Sequence, residues 1–190
     1  MVGLGNPGAD YRATRHNLGF LAVERLAERL GLGGPVREEC RALLVGDGER
    51  LVCQPQTYMN RSGAAVRCLA ERYELGPERI LVIYDEVHLA LGRLRLRAGG
   101  SPAGHRGMES IVDALQTEAV PRLRLGIGPP PSAMALDQFV LQPFLAEELE
   151  AVEDLVGRAA LAAEAWMVEG IERAMTRSNA PDLPEAPPTA

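Results

Sequence analysis

The sequence predicts a single α/β domain built on a mixed β-sheet with helices on both faces. Three observations predict it. Stretches with helical apolar spacing alternate along the chain with short stretches of strand character. One of these, Arg79-Ile80-Leu81-Val82-Ile83-Tyr84, is apolar without a break after its arginine, as suits a strand buried on both faces. A third pair, Cys40 to Val45 and Arg50 to Cys53, alternates around Gly46-Asp47-Gly48 and reads as a hairpin, so the sheet is not purely parallel. At 190 residues the chain is long enough to bury one sizeable core.

In chain order, Met1 to Leu4 read as the end of a first strand, followed by the loop Gly3-Leu4-Gly5-Asn6-Pro7-Gly8. Three of its glycines match a GxGxxG dinucleotide fingerprint. That fingerprint needs a helix opening inside the loop, whereas Pro7 to Tyr11 read as a turn that delays the helix to about Asn17. The helix from about Asn17 to Leu30 places Leu18, Leu21, Ala22, Arg25, Leu26 and Arg29 on one stripe, and Gly31, Gly33, Gly34 and Pro35 end it. After the hairpin, Gln54 to Asn60 is a polar loop, and a helix carrying Ala65, Val66, Leu69, Ala70 and Tyr73 runs to Gly76-Pro77. The buried strand then ends in Asp85-Glu86. Arg93 to Arg97 alternate arginine with leucine, as a half-exposed strand with one basic face does. Arg106 to Leu115 is a short helix after a glycine-rich loop, and Arg122 to Ile127 is another strand. A long helix is expected from about Ala146 to Met175, with Leu149, Val152, Val156, Ala160, Ala163, Met167 and Ile171 inward. The domain is set at residues 1–179. Residues 180–190, with four prolines, read as a disordered tail.

Composition narrows the function classes. No apolar run approaches the roughly 20 residues that span a bilayer, and no basic stretch followed by an apolar one marks a signal peptide. Cys40, Cys53 and Cys68 are odd in number and widely spaced. They form no zinc or redox motif and read as reduced, mostly buried thiols of a cytoplasmic protein.

A net charge of -6 argues against a generic nucleic-acid binder, but the charge is unevenly spread. From Glu147 onward ten acids face three arginines, which leaves +1 on the first 146 residues. Between Arg93 and Arg124 six arginines face three acids, so a polyanion would be met there, with Arg95, Arg97 and Arg122 as candidates. Every basic residue is an arginine, so each cationic contact can be a bidentate fork.

The candidate chemistry centres on His16, which stands where the glycine loop hands over to the first helix. Histidine can take a proton and return it near neutral pH. Asp85, at the predicted end of the buried strand, is the acid placed to fix its tautomer and support its charged form. Asn6, Asn17 and Asn60 fall in loops beside strand or helix ends, where asparagine also serves turns. No G-x-S-x-G elbow or activated cysteine offers a nucleophile, and His88 beside Asp85 and Glu86 is a weak metal pattern. A histidine, an aspartate and several amides fit a base that activates water, with the amides orienting substrate.

These residues carry a specific resemblance. Tyr11, Thr14-Arg15-His16-Asn17, Gly19, Ala22, Val23 and Glu24 match the first signature of the bacterial-type peptidyl-tRNA hydrolases. Gly3 to Gly8, Thr57 to Gly63, Tyr84-Asp85-Glu86, Arg124 to Gly128 and Phe139-Val140-Leu141 follow in the family's order, over about Met1 to Asn179. The resemblance implies hydrolysis of the ester between a peptide and the terminal ribose of tRNA, without metal or cofactor, by a cytoplasmic monomer. It implies His16 as general base and Asp85 as its partner. Asn6 and Asn60 would be substrate-holding amides, Met59 a cleft lining and Tyr11 a residue at the cleft edge. The sequence departs from the family at two places. His105-Arg106-Gly107-Met108-Glu109 stands where the family usually has His-Asn-Gly, an apolar residue and a basic one, and His88 stands where it usually has aspartate. Arg106 therefore takes the place of a substrate-contacting asparagine. This keeps a second reading in view, a non-hydrolytic RNA-binding relative that uses the same groove.

Overall fold

The computed structural model describes residues 1–46 and 49–179. The predicted turn at Asp47-Gly48 and the tail 180–190 lie outside these residues. Seven strands form one sheet: β1 (Val2–Gly3), β2 (Arg37–Glu39), β3 (Ala42–Gly46), β4 (Leu51–Pro55), β5 (Val82–Ala90), β6 (Leu94–Arg97) and β7 (Arg122–Gly128). Their order is β2-β3-β4-β1-β5-β7-β6. The central strands β4, β1, β5 and β7 are parallel, and β2, β3 and β6 add antiparallel pairs at the two sides. The mixed sheet and its hairpin agree with the sequence reading.

Alternation along β5 sends successive side chains to opposite faces, and two cores follow from it. Leu81 and Ile83 pack with Leu123, Leu125 and Leu96 against α1 (Leu18–Arg29) and α5 (Leu149–Glu169). Val82 and Tyr84 pack with Val2, Leu4 and Leu44 against α2 (Ser62–Arg72) and α3 (Arg106–Leu115). Helices thus cover both faces. The approach of α1 to the sheet is close enough to require glycine: a Cβ on Gly19 would meet the carbonyl oxygen of Ile83 and the backbone of Leu4.

Several expectations need correction. The buried strand does not stop at Asp85; it runs on to Ala90, because both carboxylates are buried with partners. The long C-terminal helix is two. Gly170, at φ 81°, closes α5, and α6 (Ile171–Ser178) starts after it. Leu149 faces outward at 54% exposure. The polar edge strand β2 and the short helix α4 (Leu136–Val140) were not foreseen. Cys40 and Cys68 are not free thiols. The tip between β2 and β3 lies across α2, bringing the two Cα atoms to 5.6 Å, and a disulfide joins them; Cys53 remains a buried thiol.

Arg122 also departs from its expected role. It is 2% exposed, and its guanidinium donates to the carbonyls of Val120, Ser101 and Glu118, so it organises a loop rather than facing a polyanion. Arg95 and Arg97 are exposed on β6, with Leu96 buried between them, as the alternation predicted. No helix among the described residues is long and apolar enough to cross a membrane.

Candidate active site

The parallel strands β4, β1 and β5 end on the same side of the sheet, where open α/β sheets place their ligand sites. Asn6 and His16 follow β1, Met59 and Asn60 follow β4, Asp85 lies on β5, and His105 and Arg106 open α3. Together they line a cleft of about 920 Å³, with Tyr58, Arg61, Glu86, His88, Leu136 and Val140 among its other walls. Only a single 3-10 turn, Ala9–Tyr11, follows the glycine loop, and the first α-helix begins at Leu18, so the loop does not present an α-helix N-terminus as a dinucleotide site does.

His16 sits in a 3-10 turn, Arg15–Asn17, just before α1. Its Nδ1 lies 2.9 Å from both oxygens of Asp85, and its Nε2 has no hydrogen-bond partner among the described residues. Burial would lower the His16 pKa, but the charge and hydrogen bond of Asp85 outweigh it and raise the pKa above its ordinary 6.5, with Arg106 opposing. Burial likewise would raise the Asp85 carboxyl. The charges and hydrogen bonds of His16 and His105 win and hold it well below the usual carboxylate range. Asp85 is therefore an ionised acceptor although it is only 1% exposed.

His105 is the residue that the sequence reading missed. Its Nε2 lies 3.1 Å from Asp85 Oδ1, while its Nδ1 caps α3 by accepting the Met108 N–H at 3.2 Å. The ring proton is thereby assigned to Nε2, which donates to Asp85. His105 opens the departing segment His105-Arg106-Gly107, and that was the available signal. His16, Asp85 and His105 bring their donor atoms within 4.8 Å of one another, as metal ligands could. Ligation by His105 Nε2 would leave a ring with no proton facing another donor, however, so this set reads as a hydrogen-bonded chain.

The amides divide into two kinds. Asn17 is structural: its side chain accepts from Asn6 N–H and donates to the Asn6 carbonyl, both at 2.9 Å. Asn6 accepts the Met59 N–H at 2.8 Å through Oδ1, which leaves its NH₂ group for the cleft it lines. Asn60 is exposed on the cleft wall, and Met59 is a buried part of it. Tyr11 stands beside the cleft rather than in its lining, meeting the lining Tyr58 edge-on with ring centroids 6.4 Å apart. Arg106 is exposed, lines the cleft, and makes no ion pair with Glu109 or any other described acid. His88 is exposed in the same cleft, and the buried Glu86 is paired with Arg124 at 2.7 Å.

A model of the family described as peptidyl-tRNA hydrolase matches residues 1–186. The chain belongs to the peptidyl-tRNA hydrolase family. It is 48% identical over 184 residues to the peptidyl-tRNA hydrolase of Moorella thermoacetica, covering 94% of this chain and 96% of that protein. It is also 48% identical to that of Thermus thermophilus, covering 96% of this chain and 97% of that protein. Among solved structures it resembles peptidyl-tRNA hydrolase from Acinetobacter baumannii, with a TM-score of 0.86 and 34% identity over 94% of this chain and 93% of that one. The fold and the family expected from the motifs are thus both found.

Proposed function

We propose that this cleft hydrolyses the ester between the peptide and the terminal ribose of peptidyl-tRNA, with His16 as general base. The observation that supports it most is the His16–Asp85 pair at 2.9 Å, with the other imidazole nitrogen unpaired and the ring lining the cleft. His16 Nε2 takes a proton from water as the water attacks the ester carbonyl. Asp85 stabilises the imidazolium that forms and keeps the proton on Nδ1 in the resting state. The ester C–O bond then breaks, and the imidazolium returns the proton to the ribose oxygen. The Asn6 and Asn60 amides hold the ester and the peptide backbone, Met59 packs beneath them, and Arg106 contacts the tRNA end where the family usually has a neutral asparagine. The cleft supplies a base, a buried acid and hydrogen-bond donors, and this mechanism requires no other group. The non-hydrolytic alternative has no observation in its favour, since Arg106 leaves the His16–Asp85–His105 chain intact.

We read the protein as a cytoplasmic monomer that recycles tRNA from stalled translation. The disulfide removes the reduced thiols as support for that compartment. The deciding experiment is release of peptide from an N-acylated aminoacyl-tRNA by the purified protein. Release in wild type that falls by roughly 10²–10⁴ in folded His16→Ala supports the reading, and sedimentation as one chain supports the monomer.

A further inference from the structure

Arg15 precedes the base in sequence, yet its side chain points away from the cleft into the protein and is 5% exposed. Its guanidinium carbon lies 4.7 Å from the ring centroids of both Phe139 and Phe144. Its two terminal nitrogens donate to the two oxygens of Glu148, at 3.0 and 2.5 Å. Glu148 also accepts the Leu145 N–H at 2.7 Å. The backbone repeats the link: Arg15 N–H donates to the Gln142 carbonyl at 3.0 Å, and Thr14 bridges Pro143. Arg15, with Thr14 beside it, therefore fastens the segment from Phe139 to Glu148 to the turn that carries His16. That segment continues the cleft wall formed by Leu136, Val140 and Leu141.

Stability is a poor reason for this arrangement. Arg15 is buried while Glu148 is half-buried, so the pair's attraction is partly screened and must still offset the desolvation of the guanidinium. Here Nε of Arg15 is also buried without a partner, which detracts further. A methionine between the two phenylalanine rings would fill the slot and leave the part-exposed Glu148 carboxylate to water and the Leu145 N–H. What it would not do is hold the wall and the base in one register.

We propose that Arg15 is a positioning residue that sets the wall at Leu136, Val140 and Leu141 relative to His16, and so governs how tightly the peptide part of the substrate is held. This rests on the reading of the cleft as a peptidyl-tRNA esterase. The wall is assigned to peptide side chains because it offers three aliphatics and, in Asp137, an anion that would repel phosphate, while the lining cations Arg61 and Arg106 stand on other elements.

The test compares wild type, Arg15→Met and Arg15→Lys on two substrates, N-acetylglycyl-tRNA and a tRNA carrying an acetylated tripeptide of apolar residues. Arg15→Met should raise KM for the tripeptide substrate about 5- to 100-fold, change KM for the glycine substrate little, and leave kcat within about threefold. Hydrogen exchange at the Phe139 and Gln142 amides should quicken. Arg15→Lys, which keeps the charge but not the fork or the flat stacking, should lie between. An equal rise in KM for both substrates, a fall in kcat alone, or unchanged exchange would overturn the proposal. If Arg15→Met does not fold, the clamp is structural after all unless Arg15→Lys shows the same split between substrates. Wild type inert on both substrates would remove the esterase reading instead, and the exchange data would still judge the clamp.

Discussion

Asp85→Asn is the substitution whose consequence follows most closely from the geometry. Asp85 accepts from two rings: His16 Nδ1 at 2.9 Å and His105 Nε2 at 3.1 Å. A hydrogen bond to a buried charged group contributes about 1.5–3 kcal/mol, so losing the charge beneath the imidazolium should slow turnover about 10- to 150-fold. A second effect compounds it. His105 is committed as a donor, because its other nitrogen accepts from Met108. An asparagine has one accepting oxygen, and if that oxygen serves His105 its NH₂ group faces His16. His16 must then accept at Nδ1 and carry its proton on Nε2, toward the cleft, where it cannot act as a base. A wrong tautomer of this kind brings the loss toward roughly 10⁴. Peptide release from N-acylated aminoacyl-tRNA measures the rate, and filter retention of tRNA checks that binding survives. The acid limb of kcat/KM should also move to lower pH, since Asp85 is what raises the His16 pKa above 6.5. Turnover within about threefold of wild type, in a folded Asp85→Asn protein, would refute this reasoning.

Other outcomes follow from the same structure. Arg106→Asn removes a cation that opposes protonation of His16, so the acid limb should shift to higher pH. It should also weaken tRNA binding and reduce the log–log salt slope by about 0.7–0.9 if Arg106 meets a phosphate; an unchanged slope and limb would place it outside the working cleft. Arg95→Ala and Arg97→Ala should weaken tRNA binding with little change in melting temperature, and binding insensitive to both would make the β6 face idle. Arg122→Ala should do the reverse. It strands the buried Val120 carbonyl, releases those of Ser101 and Glu118, and should lower stability by about 1–3 kcal/mol in a melting or denaturant experiment. Acid unfolding should expose Asp85: its lowered pKa gives stability that is full above the ordinary 3.8 and is lost as pH falls through the folded value, and Asp85→Asn should remove that component.

Periodicity carried most of the fold because it records which side of an element is buried. The α3 bounds, Arg106–Leu115, and the alternating β6 and β7 strands were legible for that reason. Elements without an apolar pattern were not: β2 is Arg37-Glu38-Glu39, held by pairing to β3 rather than by burial. The end of β5 was misread because Asp85 and Glu86 look solvated until His16, His105 and Arg124 are seen around them. Arg122 was misread for the same reason, since alternation says which face a side chain is on but not what covers that face. The disulfide is a contact across 28 residues between a turn and a helix, which spacing alone does not reveal. At the site, motif resemblance drew His16, Asp85, Asn6, Tyr11, Met59, Asn60 and Arg106 into one set, and all but Tyr11 line the cleft. The roles within the set became readable only from hydrogen bonds, above all the link from Met108 through His105 to Asp85.

The central claim is that His16 is the base of a hydrolytic cleft. The most direct measurement is the rate of peptide release from N-acylated aminoacyl-tRNA by wild-type and His16→Ala protein, with circular dichroism to verify the fold. The account predicts release by wild type and a fall of roughly 10²–10⁴ in the folded variant. Near-wild-type release by His16→Ala would contradict it.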